Sequence, residues 1–166
     1  MLFRSTVGTV TFVNSTQLTA IVSVAQGAAV GDRSITVTNL DTGTATLTDG
    51  LAVTAGPVVT GLTPSTRGQG SSDQSIVVSG TGFQDGVTAS FSGAGVTVNS
   101  VTFTDATSIT LRVSVSATAP VGTRSLTMVN PDAGRFVASS AFTVVAEPAA
   151  TSLSPSSRGQ GAASQA

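Results

Sequence analysis

The chain has 166 residues and a mass of 16.3 kDa, which suits one domain or two small ones. Only 9% of its residues are charged, the net charge is -1, and the mean hydropathy is +0.35. This composition excludes intrinsic disorder, which requires low hydrophobicity and high net charge. It also excludes a nucleic-acid partner, because seven basic residues at a pI near 5.0 cannot form a basic surface for phosphates.

The sequence contains no His, Cys, Trp or Tyr. Their absence removes imidazole and thiol nucleophiles, histidine bases, the usual zinc and haem ligands, and the aromatic platforms that stack on sugars or bases. We therefore predict a protein that is not an enzyme, with no catalytic residues and no cofactor.

The amino-terminal segment lacks the basic and long apolar regions of a secretion signal. No run of about 18 apolar residues is present, so we predict no membrane insertion. If the protein is exported, its signal lies outside this chain.

An internal repeat organises the sequence. The segment Arg67-Gly68-Gln69-Gly70 returns as Arg158-Gly159-Gln160-Gly161, and Leu62 returns as Leu153, an offset of 91 residues (153 − 62). The same offset aligns the preceding residues without a gap. It predicts the later part of one repeat at 1–61, a complete repeat at 62–152, and the opening strand and loop of a further repeat at 153–166.

Alternating apolar and polar residues indicate β-strands in both copies. In the complete repeat, Ile109, Leu111, Val113 and Val115 alternate with polar residues, and residues 18–24 show nearly the same pattern. The strands predicted in the complete repeat span 58–62, 75–79, 87–91, 96–103, 109–115, 124–129 and 136–145. Seven or so short strands in about 91 residues predict an all-β fold, an antiparallel immunoglobulin-like sandwich repeated in tandem.

The aliphatic and aromatic residues of the complete repeat form its predicted core. The members of this predicted core are Ile76, Val78, Phe83, Phe91, Phe103, Leu111, Val113, Leu126, Met128 and Phe142. Phe136 stands apart, because it follows a turn and replaces Ala45 of the first copy. We treat it either as a core residue or as a partner contact.

Three motifs of the complete repeat resemble the IPT/TIG immunoglobulin-like repeats of bacterial surface proteins. They are Leu62-Thr63-Pro64, Gly80-Thr81-Gly82-Phe83 and Ala141-Phe142-Thr143-Val144. The family typically carries a Gly-Gly pair where this chain has Arg67-Gly68-Gln69-Gly70. The resemblance implies an early-set immunoglobulin fold, tandem arrays outside the cell or on its surface, and roles as spacers, stalks or interaction modules. It implies no catalysis.

The glycine-rich segment at 67–70 has two interpretations. Glycines let backbone N–H groups approach an anion, but no helix and no Lys-Ser/Thr pair follow, so a P-loop is excluded. We prefer a turn between the first two strands that packs at the joint between repeats, with Arg67 and Arg158 bonded to carbonyls or to an Asp of the adjacent unit. Leu153 and Pro155 join this predicted junction set.

Calcium at a repeat junction is the weaker alternative for the acidic loops. Asp41, Asp85, Asp105 and Asp132 lie in predicted turns, where carboxylates can gather around Ca²⁺. No Asp-x-Asp-x-Asp series occurs, so solvated turn residues are the preferred interpretation.

Partial repeats leave aliphatic faces and strand edges uncovered, which predicts that this protein contacts itself or neighbouring repeats. Residues 1–61 lack what we expect to be three opening strands. Residues 153–166 provide an opening strand that another subunit can accept, which would build a filament or ring, yet they cannot replace the second and third strands. We therefore expect an excerpt of an extracellular array, with a self-assembling homo-oligomer or fibre protomer and a glycan- or protein-binding adhesion module as alternatives.

Overall fold

A computed structural model describes residues 5–161, and all regular structure in that range is β-strand. Four strands precede residue 54: β1 (Ser5–Asn14), β2 (Gln17–Val24), β3 (Gly31–Thr38) and β4 (Thr44–Val53). They form two separate antiparallel hairpins, β1–β2 and β3–β4. None of the described residues forms a helix long and apolar enough to cross a membrane.

Eight further strands form the complete unit. They are β5 (Val58–Thr63), β6 (Thr66–Gly68), β7 (Gln74–Thr81), β8 (Thr88–Phe91), β9 (Val96–Asp105), β10 (Ser108–Val115), β11 (Gly122–Val129) and β12 (Arg135–Val145). One sheet has the order β5-β7-β10-β9 and the other has the order β6-β12-β11-β8. Every pairing is antiparallel except that of β6 with β12.

The two sheets share one hydrophobic core, as expected for a β-sandwich. Buried side chains of β7 and β10 in the first sheet join those of β11 and β12 in the second. Of the ten residues predicted for this core, Phe91 and Phe103 are partly buried and pack against it, and the other eight are buried. The ring of Phe91 lies 4.8 Å from that of Phe142, so β8 and β12 also contact through aromatic packing.

The opening strand of the complete unit is divided between the sheets, which the sequence did not predict. β5 pairs with β7, and the chain then passes to the second sheet, where Thr66, Arg67 and Gly68 pair in parallel with residues 143–145 of β12. Arg67 and Gly68 are therefore strand residues, and the turn predicted at 67–70 begins only after them. Four strands, not three, precede β9.

The strands before residue 54 match β9–β12 position by position. Each of β1 to β4 begins 91 residues before its counterpart, and every residue pair within the first two hairpins recurs in β9–β10 or β11–β12. For example, Leu18 lies opposite Phe12, and Ile109 lies opposite Phe103. The register shifts within each hairpin also recur at the same positions.

Burial differs sharply between these matched strands. Ile109 and Leu126 are 0% exposed, whereas their counterparts Leu18 and Ile35 are both 43% exposed. The backbone pairing is the same, so the difference comes from β5–β8, which cover β9–β12 and have no counterpart beside β1–β4 among the described residues.

The described residues after β12 form no strand. Residues 149–154 correspond to β5 at the 91-residue offset, but the position of their pairing strand, the counterpart of β7, begins at 165 (74 + 91). β5 itself begins at Val58, four residues before the predicted start of the complete repeat, and Pro57 is fully buried.

We predict that Ile109→Ala lowers the free energy of unfolding of the complete unit by about 2–5 kcal/mol, because it opens a cavity in a closed core. The matched substitution Leu18→Ala should change it by about 0.5 kcal/mol or less, since Leu18 faces solvent. Urea unfolding followed by far-ultraviolet circular dichroism measures both. Equal losses in the two variants would show that the β1–β2 face is buried in solution.

Candidate functional site: the repeat joint and the open strand faces

Residues 54–57 join β4 to β5 and dock on one end of the complete unit, which we call the N-terminal pole. The pole consists of the segment after β7 (residues 82–84) and the turn between β11 and β12 (residues 130–134). Both segments contact the linker: Thr54 bonds to the turn, and Gly56 lies against Gly82 and Gly134. The linker is thus held by the unit that follows it.

Asp132 is the polar centre of this contact. Its Oδ2 atom accepts hydrogen bonds from Thr54 Oγ1 at 2.6 Å and Gln84 Nε2 at 2.7 Å, and its Oδ1 atom accepts one from the Gly134 amide at 2.9 Å. These donors stabilise the carboxylate and lower the pKa of Asp132, with the Thr54 hydroxyl as the largest cause. One carboxylate therefore connects the linker, the segment after β7 and the turn before β12.

Close backbone contact reinforces the joint at Gly82. Its φ of +70° lies in the left-handed region, and a Cβ atom there would lie 2.5 Å from the carbonyl oxygen of Gly56. The buried Asn130 side chain donates from Nδ2 to the Gly82 carbonyl at 2.7 Å. The linker therefore approaches a backbone surface where a side chain would block it.

At the opposite end of the strands, hydrogen bonds with Gln69 hold the chain that follows β12 against the complete unit. We call this end, residues 68–71, 115–119 and 145–147, the C-terminal pole. Gln69 Nε2 donates to the Ala119 carbonyl at 2.7 Å, its backbone N–H donates to the Val145 carbonyl at 2.9 Å, and its Oε1 accepts from the Glu147 amide at 3.3 Å. The chain leaving β12 is fixed for two residues beyond the strand.

The residues of the glycine-rich motif at 67–70 thus have different roles from those that the sequence predicted. Arg67 donates to the carbonyls of Thr66 and Ser75, both in its own unit and not in the adjacent one. The reason is the position of β6 at the edge of its sheet, which brings Arg67 beside the start of β7. Gly70, with φ of +75°, forms the turn that follows Gln69.

The second copy of the motif lies in exposed chain without strand pairing. Arg158, Gly159, Gln160 and Gly161 are exposed, as are Pro155 and Leu153, the last being 77% exposed. Their role at a junction stays a prediction.

Exposed aliphatic side chains line one face of β2 and of β3. In β2 and β3, five of the positions that match buried residues of β10 and β11 are at least 40% exposed. These five, which we call the open faces, are Leu18, Val22, Val24, Ile35 and Val37. Exposed apolar patches are candidate interaction sites, so these faces belong to the candidate site.

Phe136 lies in a groove between β5 and the first half of β12. The groove has a volume of about 310 Å³ and is lined by residues 59–62, 136–139 and 141. β6 pairs only with the last residues of β12, so this half of the strand has a free edge. Phe136 is half-buried there, and its contact with a partner stays a prediction.

Three of the four acidic residues considered for calcium accept hydrogen bonds in the turns that contain them. Asp41 and Asp105 accept hydrogen bonds from groups two residues ahead, as expected for turn carboxylates, and Asp132 serves the joint. Within residues 5–161, no cluster of three or more acidic residues is close enough to hold a metal ion.

Comparisons of the sequence with protein-family models and with curated proteins found no match.

We predict that Asp132→Asn loosens the linker at neutral pH. Because the folded pKa of Asp132 is lowered, its contribution is complete above the ordinary Asp pKa of about 4 and is lost as the pH falls through the lowered value. Hydrogen exchange of the linker amides should therefore accelerate on acidification in the parent protein, and less steeply in the variant. Asp41→Asn, at the matched turn of the first copy, is the control and should leave linker exchange unchanged.

Proposed function

We propose that this protein is a non-catalytic structural repeat protein built from tandem immunoglobulin-like sandwiches. The strand order of the complete unit supports the fold assignment. With β5 and β6 taken as the two parts of strand A, the sheets have the orders A-B-E-D and A′-G-F-C, the arrangement of a constant-type immunoglobulin sandwich with a divided first strand.

The recurrence of the hairpin registers at an offset of 91 residues is the observation that carries the proposal. Two chain segments with the same pairing, the same register shifts and the same inward-facing aliphatic positions are two copies of one structural unit. Repeat proteins of this kind act through length and geometry, because each unit contacts only its neighbours.

The joint geometry favours a stalk or surface array over a flexible string of domains. Residues 54–57 are held by Asp132 and Gly82 of the following unit, and residue 147 is held by Gln69 of the preceding one. In an array that repeats both contacts, each connection is bonded on both sides, which limits bending at the joint. The IPT/TIG resemblance implies such an array outside the cell or on its surface.

Head-to-tail assembly is a second form of the same proposal. Residues 149–159 correspond to β5 and β6, and in the complete unit β6 pairs in parallel with the end of β12. The matching contact would place residues 157–159 of one copy beside the end of β4 in another. Contacts of this type are heterologous and extend into filaments or rings.

An adhesion module is the alternative function, and the groove beside Phe136 favours it. A free strand edge next to apolar side chains can accept an extended peptide by strand addition. A glycan has less to stack on, because Phe is the only aromatic residue type in the chain.

Inserting a further copy of residues 57–147 after Glu147 tests the array. β12 has 11 residues, or about 36 Å at 3.3 Å per residue, so each inserted copy should lengthen the particle by about 35–40 Å. Small-angle X-ray scattering of chains with one and two insertions measures this increment. An insertion carrying Leu111→Asp, which disrupts its core, is the control and should not give the same rigid increment.

Light scattering of the original chain distinguishes the two forms of assembly. A monomer of 16.3 kDa supports a spacer array, whereas large assemblies that disappear on deleting residues 153–161 support head-to-tail exchange. Compact particles whose length does not grow with added copies would contradict the structural proposal.

A further inference from the structure

We infer that β1–β4 form the acceptor half of a divided sandwich, and that the occupant of the open faces is a four-strand segment of the β5–β8 type. This inference rests on the proposed function, because it takes the two copies as one structural unit.

The free edges of the first two hairpins are the positions that β5–β8 fill in the complete unit. β10 lies between β9 and β7, β11 lies between β12 and β8, and β12 also pairs with β6. In the first copy, β2 pairs with β1, and β3 pairs with β4, as their counterparts do. The other edges of β2, β3 and β4 face no strand among the described residues. Three strand edges are therefore available at the positions of β7, β8 and β6.

The open faces have the chemistry that a β5–β8 segment covers. In the complete unit, Ile76 and Val78 of β7 and Phe83 share the buried cluster with Val113, which is 0% exposed. Val22, at the matched position, is 41% exposed. Burying an aliphatic side chain of this size contributes about 1.5–3 kcal/mol, so covering five such positions gives a strong driving force.

A second copy of the described chain cannot satisfy these faces by exchange. Residues 5–161 contain two acceptor halves, β1–β4 and β9–β12, but only one complete donor set, β5–β8, because residues 149–159 match only β5 and β6. Moving β5–β8 to another molecule would uncover β9–β12 of the molecule that donates it. Exchange among copies therefore always leaves as many acceptor halves open as it closes.

The connection between donor and acceptor in the complete unit is short. β8 ends at Phe91 and β9 begins at Val96, so residues 92–95 make the connection between donor and acceptor. At the 91-residue offset, those four residues correspond to residues 1–4. A donor segment joined directly before residue 1 would thus have the same connection length as the complete unit.

The test is a fusion of residues 57–91 to the amino end of the full chain, read out by thiol accessibility. The chain has no cysteine, so a single Val22→Cys substitution places a unique reporter on the open faces. We expect the Val22→Cys thiol to react with a thiol reagent at least about 100-fold more slowly in the fusion than in the unfused chain, because reaction then requires local opening.

Two matched variants control the result. Val113→Cys, at the equivalent buried position, should react slowly with and without the fusion, which reports that the complete unit remains folded. A fusion whose added segment carries Ile76→Asp and Val78→Asp should leave the Val22→Cys thiol reactive. Light scattering of the protected fusion should give the mass of a monomer.

Three results would overturn the inference. They are a reactive Val22→Cys thiol in a fusion whose Val113→Cys thiol is protected, equal protection by the aspartate-bearing segment, and protection that requires self-association. Normal length increments with a reactive Val22→Cys thiol would contradict only the acceptor assignment. Protection without length increments would contradict only the array.

Discussion

Burial of the aliphatic faces of β9–β12 by β5–β8 is the constraint on which the structure depends. Strand pairing within β9–β10 and β11–β12 is local, and the same pairing exists in β1–β2 and β3–β4 without a core. Hairpin hydrogen bonds therefore set the register, whereas burial requires strands from a different part of the chain. Because two-stranded ribbons are marginally stable alone in water, the cover rather than the hairpin determines whether a unit is closed.

The N-terminal pole depends on the same cover. Asp41 and Asp132 occupy matched turns, and each accepts a hydrogen bond from the amide of a glycine two residues ahead. Only Asp132 has Gln84 beside it, since Gln84 belongs to the segment that connects β7 to β8. A carboxylate that is an ordinary turn residue in an open unit thus becomes a linker anchor in a closed one.

Alternation of apolar and polar residues predicted the strands of the complete unit well, because each inward-facing side chain enters one core. β6 was missed because its three residues carry no alternation, and its strand geometry comes from parallel pairing with β12, about 77 residues away (143 − 66). The glycine motif was recognised, but the separate roles of Arg67 and Gln69 depend on which carbonyls lie nearby in space. The contact between Thr54 and Asp132 had no sequence signal at all, since it joins residues 78 apart.

Repetition relates the non-local contacts at the two ends of a unit to one another. A unit that is closed by strands preceding it, and whose departing chain is held by Gln69, presents the next linker in a fixed position. In the proposed array, the next unit would bind that linker in the way that Asp132 and Gly82 bind residues 54–57. Closure of each sandwich and stiffness of each joint are then set by the same four strands, because β6 leads into Gln69 and β7 leads into Gly82. An array built in this way stiffens at a joint only when the sandwich beside it is complete.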